Sequence, residues 1–185
     1  MYLGIDQSLT ATGLTIYDGK DFIYKIIKTE KTKGTKCPTI DYTRRLLIIK
    51  KEIKKALDDF NIIFAAMEGM SFGSRGSTIY DLGGLSHIIR ELFIEEGIGF
   101  IVIPPKTLKK YWSGSGNANK IDMVKVAEDK GYDISLMKNY GNKKNPDIHF
   151  DDNIVDSLAL CRFLDDYKGK LLSDYEDVIE RSWDL

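Results

Sequence analysis

The stretch Met1-Tyr-Leu-Gly-Ile-Asp-Gln-Ser-Leu-Thr-Ala-Thr-Gly-Leu-Thr-Ile-Tyr17, followed by the turn Asp18-Gly-Lys20 and by Phe22-Ile-Tyr-Lys-Ile-Ile27, decides the fold. Residues 2–6 read as a buried strand that ends on an acid, Asp6. Gly13–Tyr17 reads as a second strand, Asp18-Gly19-Lys20 as a tight turn, and residues 22–27 as a third strand. Short connections pair consecutive strands, so an antiparallel meander is expected.

Beyond the meander the apolar period lengthens. Leu46, Leu47, Ile49, Ile53, Leu57 and Phe60 recur at helical spacing, which predicts a helix from about Ile40 to Phe60 after a lysine-rich loop containing Pro38. Residues 62–67 predict a strand that leads into Glu68. A glycine- and serine-rich loop, Gly69–Ser77, precedes a helix from about Thr78 to Glu96. Gly99–Ile103 is the fifth strand, stopped by Pro104-Pro105. Thr107–Tyr111 reads as a short helical turn, Lys120–Lys130 as a helix, residues 132–149 as polar and irregular, and Asp152–Asp166 as the last helix. Strands that alternate with helices after a meander predict an α/β fold, a mixed five-stranded sheet with helices on both faces.

The chain has 185 residues, 43% of them apolar, which suits one domain with a sizeable core. That domain is expected over 1–168, with an acidic C-terminal tail over 169–185 that carries Asp174, Glu176, Asp177, Glu180 and Asp184. No apolar run reaches the roughly 18 residues a bilayer span requires, and no signal peptide opens the chain. A cytoplasmic protein without membrane attachment is expected, with Cys37 and Cys161 as reduced thiols and Cys161 as a small core residue. Those cysteines and the two histidines, His87 and His149, lack the close spacing of a structural zinc site.

The net charge is −1, yet its distribution is uneven. Lysines cluster at 25, 28, 31, 33 and 36, at 106, 109, 110, 120 and 125, and at 138, 143 and 144. Any one cluster is an ordinary solvated face. Three of them flanking acids at segment ends lead us to expect a phosphate-binding surface.

Those acids carry the functional reading. Asp6 and Glu68 end two strands, and active sites of α/β sheets gather at strand ends. Each alone could be an ordinary turn acid, with Ser8 and Thr10 as hydrogen-bonding partners for Asp6. Asp152 and Asp156 are four residues apart on the last helix, on one face and about 6 Å apart along the axis. Asp151 or Asp152 could cap that helix, but Asp156 lies inside it, beside apolar residues, and needs a partner. Two carboxylates about 4 Å apart repel by roughly 4 kcal/mol at an effective dielectric near 20. Three or four together require cations, and a hard ion such as Mg2+ prefers oxygen ligands. Two such ions suit phosphodiester hydrolysis.

Four segments resemble one family. Gly4-Ile-Asp-Gln-Ser8 with Thr12-Gly13-Leu14, Met67-Glu-Gly-Met-Ser-Phe72 with Leu82-Gly-Gly84, Pro104-Pro-Lys-Thr-Leu-Lys-Lys110 with Ser113–Lys120, and Asp151-Asp-Asn-Ile-Val-Asp-Ser-Leu-Ala-Leu160 are similar, in order, to the motifs of RuvC-type Holliday-junction resolvases of the RNase H-like nuclease superfamily. The resemblance covers about residues 1–165. It implies an RNase H-like sheet, a homodimer, Mg2+ or Mn2+ with two ions per site, and cutting of four-way junctions and other branched DNA in recombination and repair. It places the catalytic acids at Asp6, Glu68 and Asp156. The fourth is less direct: Asn153 occupies the usual position, Asp152 is the best substitute, and Asp151 ranks lower. The family's active-site lysines fall on Lys109 and Lys120, and Phe72 lies one position from its junction-probing aromatic. With Phe72, Arg75, Lys106, Lys110, Lys143 and Lys144 are expected to contact DNA. Lysine and isoleucine richness fits an AT-rich genome; the setting expected is a bacterial or phage-infected cell.

Three alternatives remain open at this level. One is a broader flap and fork nuclease. Another is a branched-DNA-binding protein without catalysis. The third, an actin-like kinase, also opens with Gly-Ile-Asp but needs two large domains and a second phosphate loop. The helix Thr78–Glu96 presents Ile79, Leu82, Leu85 and Ile89 at helical spacing, either to a dimer partner or to the core.

Overall fold

A computed structural model describes residues 1–70, 77–133, 135, 138–139, 149–150 and 152–182, with the backbone alone at 77–78, 138–139, 149–150, 152 and 172–182. The three opening strands are β1 (Tyr2–Asp6), β2 (Ala11–Tyr17) and β3 (Phe22–Lys28). They form the expected meander, β1 antiparallel to β2 and β2 to β3. Then follow α1 (Pro38–Asp59), β4 (Phe64–Glu68), α2 (Ser77–Glu95), β5 (Gly99–Ile103), α3 (Pro105–Ser113) and α4 (Lys120–Asp129). A short ladder of β6 (Lys138–Asn139) and β7 (His149–Phe150) interrupts the segment read as irregular, and α5 (Asp152–Ser182) closes the chain. The main sheet has the order β3-β2-β1-β4-β5, with β4 parallel to both β1 and β5.

Helices cover both faces, so the central strands are buried on both sides and read as continuous apolar runs. Leu3 and Ile5 of β1 and Ala65 and Met67 of β4 pack with α1 and α2. Tyr2, Phe64 and Ala66, on the other face, pack with α3, α4 and α5. The edge strand β3 carries Lys25 and Lys28, which discourages further pairing.

Local chemistry sets the helix ends. Pro38 and Pro105 occupy first-turn positions, where proline's missing N–H goes unused, so α1 and α3 begin earlier than periodicity suggests. Gly114 closes α3 with a left-handed φ of 81°. Asn119 caps α4 through a capping box with Asp122. Leu47 departs from its expected core role and lies 55% exposed, while Arg45 takes a buried place on α1. On α2, Leu85 and Ile89 are fully buried and belong to the core, and Ile79 and Leu82 are half-buried.

The last helix runs past the expected Asp166, so residues 169–182 continue α5. Arg162 and Lys168 pair with Asp165, and Arg162 also with Asp166, which carries the helix through a polar stretch. Tyr111 of α3 donates a hydrogen bond to Asp166 at 2.5 Å and stacks edge-on against Phe163 with ring centres 5.1 Å apart.

Candidate active site

Strand alternation places Asp6 and Glu68 on the face of the sheet that α5 covers. They share the even positions of Gly4, Phe64 and Ala66. The two strands are adjacent and parallel with Ile5 opposite Met67, so Asp6 and Glu68 end neighbouring strands side by side. Neighbouring strands lie about 4.8 Å apart.

Two glycines let α5 reach that face. A Cβ at Gly4 would lie 2.0 Å from the Ser157 carbonyl oxygen, and one at Gly13 would lie 2.0 Å from that of Asn153. Gly13 is the cross-strand partner of Asp6. The contact therefore brings the turn containing Asn153 and Asp156 over the end of β1. Below it, Ser157 Oγ and Thr15 Oγ1 share a hydrogen bond of 2.7 Å, and Cys161 Sγ donates to the Thr15 carbonyl at 2.8 Å. Burial pushes the Cys161 thiol far above its ordinary pKa, so it is an uncharged core group, as expected.

Asp6 and Asp156 are 8% and 7% exposed, while Glu68 is half-buried. Acids are rarely so buried unless something offsets their charge. The donor set is carboxylate oxygen alone, which fits a hard divalent cation in kind. Among the described residues no three His, Cys, Asp or Glu side chains stand close enough to form a ready cage. The side chain of Asp152, like all of Asp151, lies outside the described residues. Asn153 is half-buried on the same turn as Asp156.

Lys109 is half-buried on α3. That helix starts beside Glu68, because Pro104 Cα would stand 3.6 Å from a Cβ at Gly69. Lys106 and Lys110 are exposed one turn apart on α3, and Lys120 is exposed at the first position of α4. Phe72, Arg75, Lys143 and Lys144 lie outside the described residues, as does the side chain of His149. His87 is exposed on α2. Lys25 is engaged by Glu52 at 2.7 Å, whereas Lys28, Lys31, Lys33 and Lys36 are exposed.

Two supports of the site were not foreseen. Gln7 Nε2 donates to the Glu68 carbonyl at 2.8 Å, tying the end of β1 to the end of β4. Arg45 Nε donates to Thr29 Oγ1 at 2.9 Å and its Nη2 to the Leu9 carbonyl at 2.8 Å, holding the β1–β2 connection from beneath. A sequence signal for Arg45 existed: it shares the apolar stripe of Ile49, Ile53 and Ala56 at helical spacing.

No family model matches the chain. It is similar in sequence to the crossover junction endodeoxyribonuclease RuvC of Brachyspira hyodysenteriae, at 26% identity over 124 residues, covering 67% of this chain and 76% of that one. In fold it is similar to Thermus thermophilus RuvC, with a TM-score of 0.63 at 18% identity, covering 91% of this chain and 95% of that one. The T. thermophilus RuvC structure in complex with Holliday junction substrate gives 0.61 at 19% identity, covering 86% and 89%. The yeast mitochondrial Holliday junction resolvase Ydc2 gives 0.59 at 15% identity, covering 97% and 83%.

Proposed function

We propose that this chain, a RuvC-type protein by fold and by sequence similarity, is a metal-dependent endodeoxyribonuclease that cuts four-way DNA junctions as a homodimer. The observation that carries this reading is the seating of Asp6, Glu68 and Asp156 on one face, at the ends of β1 and β4 and on the first turns of α5. Asp6, Glu68 and Asp156 would hold the cation, with Asp152 as the fourth carboxylate; Mg2+ or Mn2+, two per site, is the assignment. When bound, the cations supply a nucleophilic water and neutralise charge on the phosphate.

The protein's own part is positional and electrostatic. The glycine contacts at Gly4 and Gly13 seat the turn of α5 that carries Asp156 against the ends of β1 and β2. Lys109 and Lys120 would stabilise negative charge on the transferring phosphate. Lys106 and Lys110, with Arg75, Lys143 and Lys144, would bind the flanking backbone, and Phe72 would stack at the junction centre. A four-way junction offers two opposed strands, so paired incisions require two sites related by symmetry. No helix among the described residues is long and apolar enough to cross a membrane, and action on DNA in the cytoplasm of a bacterial or phage-infected cell is part of the proposal.

The test is cleavage of end-labelled four-way junction, flap, fork and linear duplex, each with Mg2+, Mn2+ or chelator. Paired nicks in the junction, abolished by chelator, support the reading. Equal cutting of flaps and forks would replace it with a broad branched-DNA nuclease. Tight junction binding without cutting in any cation would make the chain a binding protein.

A further inference from the structure

The peptide unit joining Glu68 to Gly69 is held from both sides. Its carbonyl accepts from Gln7 Nε2 at 2.8 Å, and its N–H donates to the Ile103 carbonyl at 2.8 Å. The last register pair between β1 and β4 is Ile5 with Met67, so backbone pairing has ended there. Gln7 adds one more rung with a side chain. The opposite amide orientation would set oxygen against oxygen, which fixes Nε2 as the atom facing the carbonyl. Gln7 Oε1 is buried and has no hydrogen-bond partner among the described residues. Gly69 lets this peptide lie close to β5, since a Cβ there would stand 3.3 Å from Val102 Cγ1 and 3.4 Å from the Ile103 oxygen.

We propose that Gln7 is a positioning residue for the cation site: its amide fixes the plane of the Glu68–Gly69 peptide and thereby the direction in which the Glu68 carboxylate leaves β4 toward Asp6. This rests on the nuclease reading above. Asp6 and Asp156 are seated by close packing of α5 on glycine, but Glu68 is half-buried at a strand end beyond the last β1 pair. A carboxylate so placed needs its backbone held if its oxygens are to meet those of Asp6 without reorganisation. The clamp supplies that from β1 on one side and β5 on the other.

The test compares Gln7→Met, which keeps length and removes the donor, and Gln7→Glu, which keeps shape and sets an oxygen against the Glu68 carbonyl. Tyr42→Phe is the control. It removes a hydrogen bond of 2.7 Å from a side chain to the Asp81 carbonyl, in the helical layer on the opposite face. Four quantities are measured: Mn2+ binding to DNA-free protein by calorimetry, single-turnover cleavage at saturating junction, junction affinity, and melting temperature. Loss of one such hydrogen bond should weaken Mn2+ binding and slow cleavage by about threefold to tenfold in both Gln7 variants. Junction affinity should hold, and the melting temperature should fall no further than in Tyr42→Phe. Mn2+ affinity and rate indistinguishable from wild type would overturn the proposal. So would failure of both Gln7 variants to fold, since Gln7 would then serve stability alone. Wild-type protein that neither binds Mn2+ nor cuts a junction defeats the nuclease reading and this inference with it. Active wild type with indifferent variants defeats the inference alone.

Discussion

Gly13→Ala tests whether the seating of α5 builds the site. Gly13 lies opposite Asp6 in the β1–β2 ladder and has no left-handed φ, so alanine is acceptable to the backbone there. Space is what it lacks. The added Cβ would meet the Asn153 oxygen at 2.0 Å and the Asn153 carbonyl carbon at 2.5 Å, where ordinary contact begins near 3.4 Å. Helix or strand must therefore give by about 1.4 Å at the point of contact. Overpacking of this kind costs about 1–3 kcal/mol. In a chain of this size that lowers the melting temperature by about 2–4 °C per kcal/mol. Asp156 lies three residues beyond Asn153 on the same helix and retreats with it. A displacement of about 1 Å at reacting groups can reduce a rate by about 100-fold. The expected variant is folded, somewhat less stable, and about 100-fold slower in single-turnover cleavage of a four-way junction, with junction binding retained. Gly169→Ala is the matched control, because nothing lies within 4 Å of its added Cβ on α5. It should gain about 0.5–1 kcal/mol from helix propensity and leave cleavage alone. Gly13→Ala with wild-type rate and melting temperature would refute the argument, because the helix could not then be seated on β2 as described.

Asp6→Asn should abolish cutting while a gel-shift assay shows junction affinity within about threefold of wild type, since binding rests on phosphate contacts; loss of fold would make Asp6 structural instead. Asp152→Ala should lower the cleavage rate by about 10²-fold or more, as for groups acting on developing charge, and Asn153→Ala should lower it less; the reverse order would assign the fourth ligand to Asn153. The double variant Lys106→Ala, Lys110→Ala should weaken binding and make the slope of log affinity against log salt shallower by about two; an unchanged slope would remove α3 from the DNA surface. At Asp41, the Thr32 hydroxyl and then the Arg44 guanidinium hold the carboxyl below its ordinary value of 3.8. The unfolded chain therefore takes up this proton first as pH falls, so the stabilisation is present above the ordinary carboxylate value and is lost as pH falls through the folded one. Thr32→Val should lower the melting temperature at pH 7, and the gap from wild type should narrow near pH 3; a constant gap would refute the linkage.

The sheet was legible because its strands are short apolar runs bounded by turn residues, and β5 occupies the expected residues Gly99–Ile103. Asp6 and Glu68 were legible as acids ending such runs. Gly4 and Gly13 could be read only as motif members, because close approach by a helix more than 100 residues later leaves no local trace. Gln7 was hidden for the same reason, its partner lying 61 positions away; the apolar stripe marked Arg45 as buried, but not its partner at Leu9, 36 positions away. Arg44 and Arg45 look alike in the sequence, yet one pairs with Asp41 half-exposed and the other is buried under a loop. The helix expected to end at Asp166 runs on to Ser182, through Lys168 and Gly169, where polar residues and a glycine weaken the local helical preference. Ion pairs within the helix and the aromatic contact from Tyr111 outweigh that weakness.

The three acids are held by three different devices, and this follows from where each sits. Asp6 ends the central strand, so its backbone is fixed by β2, and the absence of a side chain at Gly13 opens the space above it. Asp156 lies on a helix, which can slide or roll. Its position is fixed by glycine contact at two points one helical turn apart, Asn153 on Gly13 and Ser157 on Gly4, and by the Ser157–Thr15 hydrogen bond. Glu68 is held differently: its strand pairing with β1 stops one residue earlier, its register partner on the other side is Ile103 of β5, and the next residue begins a loop. A clamp on its peptide with Gly69, from Gln7 on one side and Ile103 on the other, helps to aim it. The least buried acid of the three thus leans on a side-chain rung from β1 beside its β5 pairing, which makes Glu68 sensitive to a small change at the sheet's end.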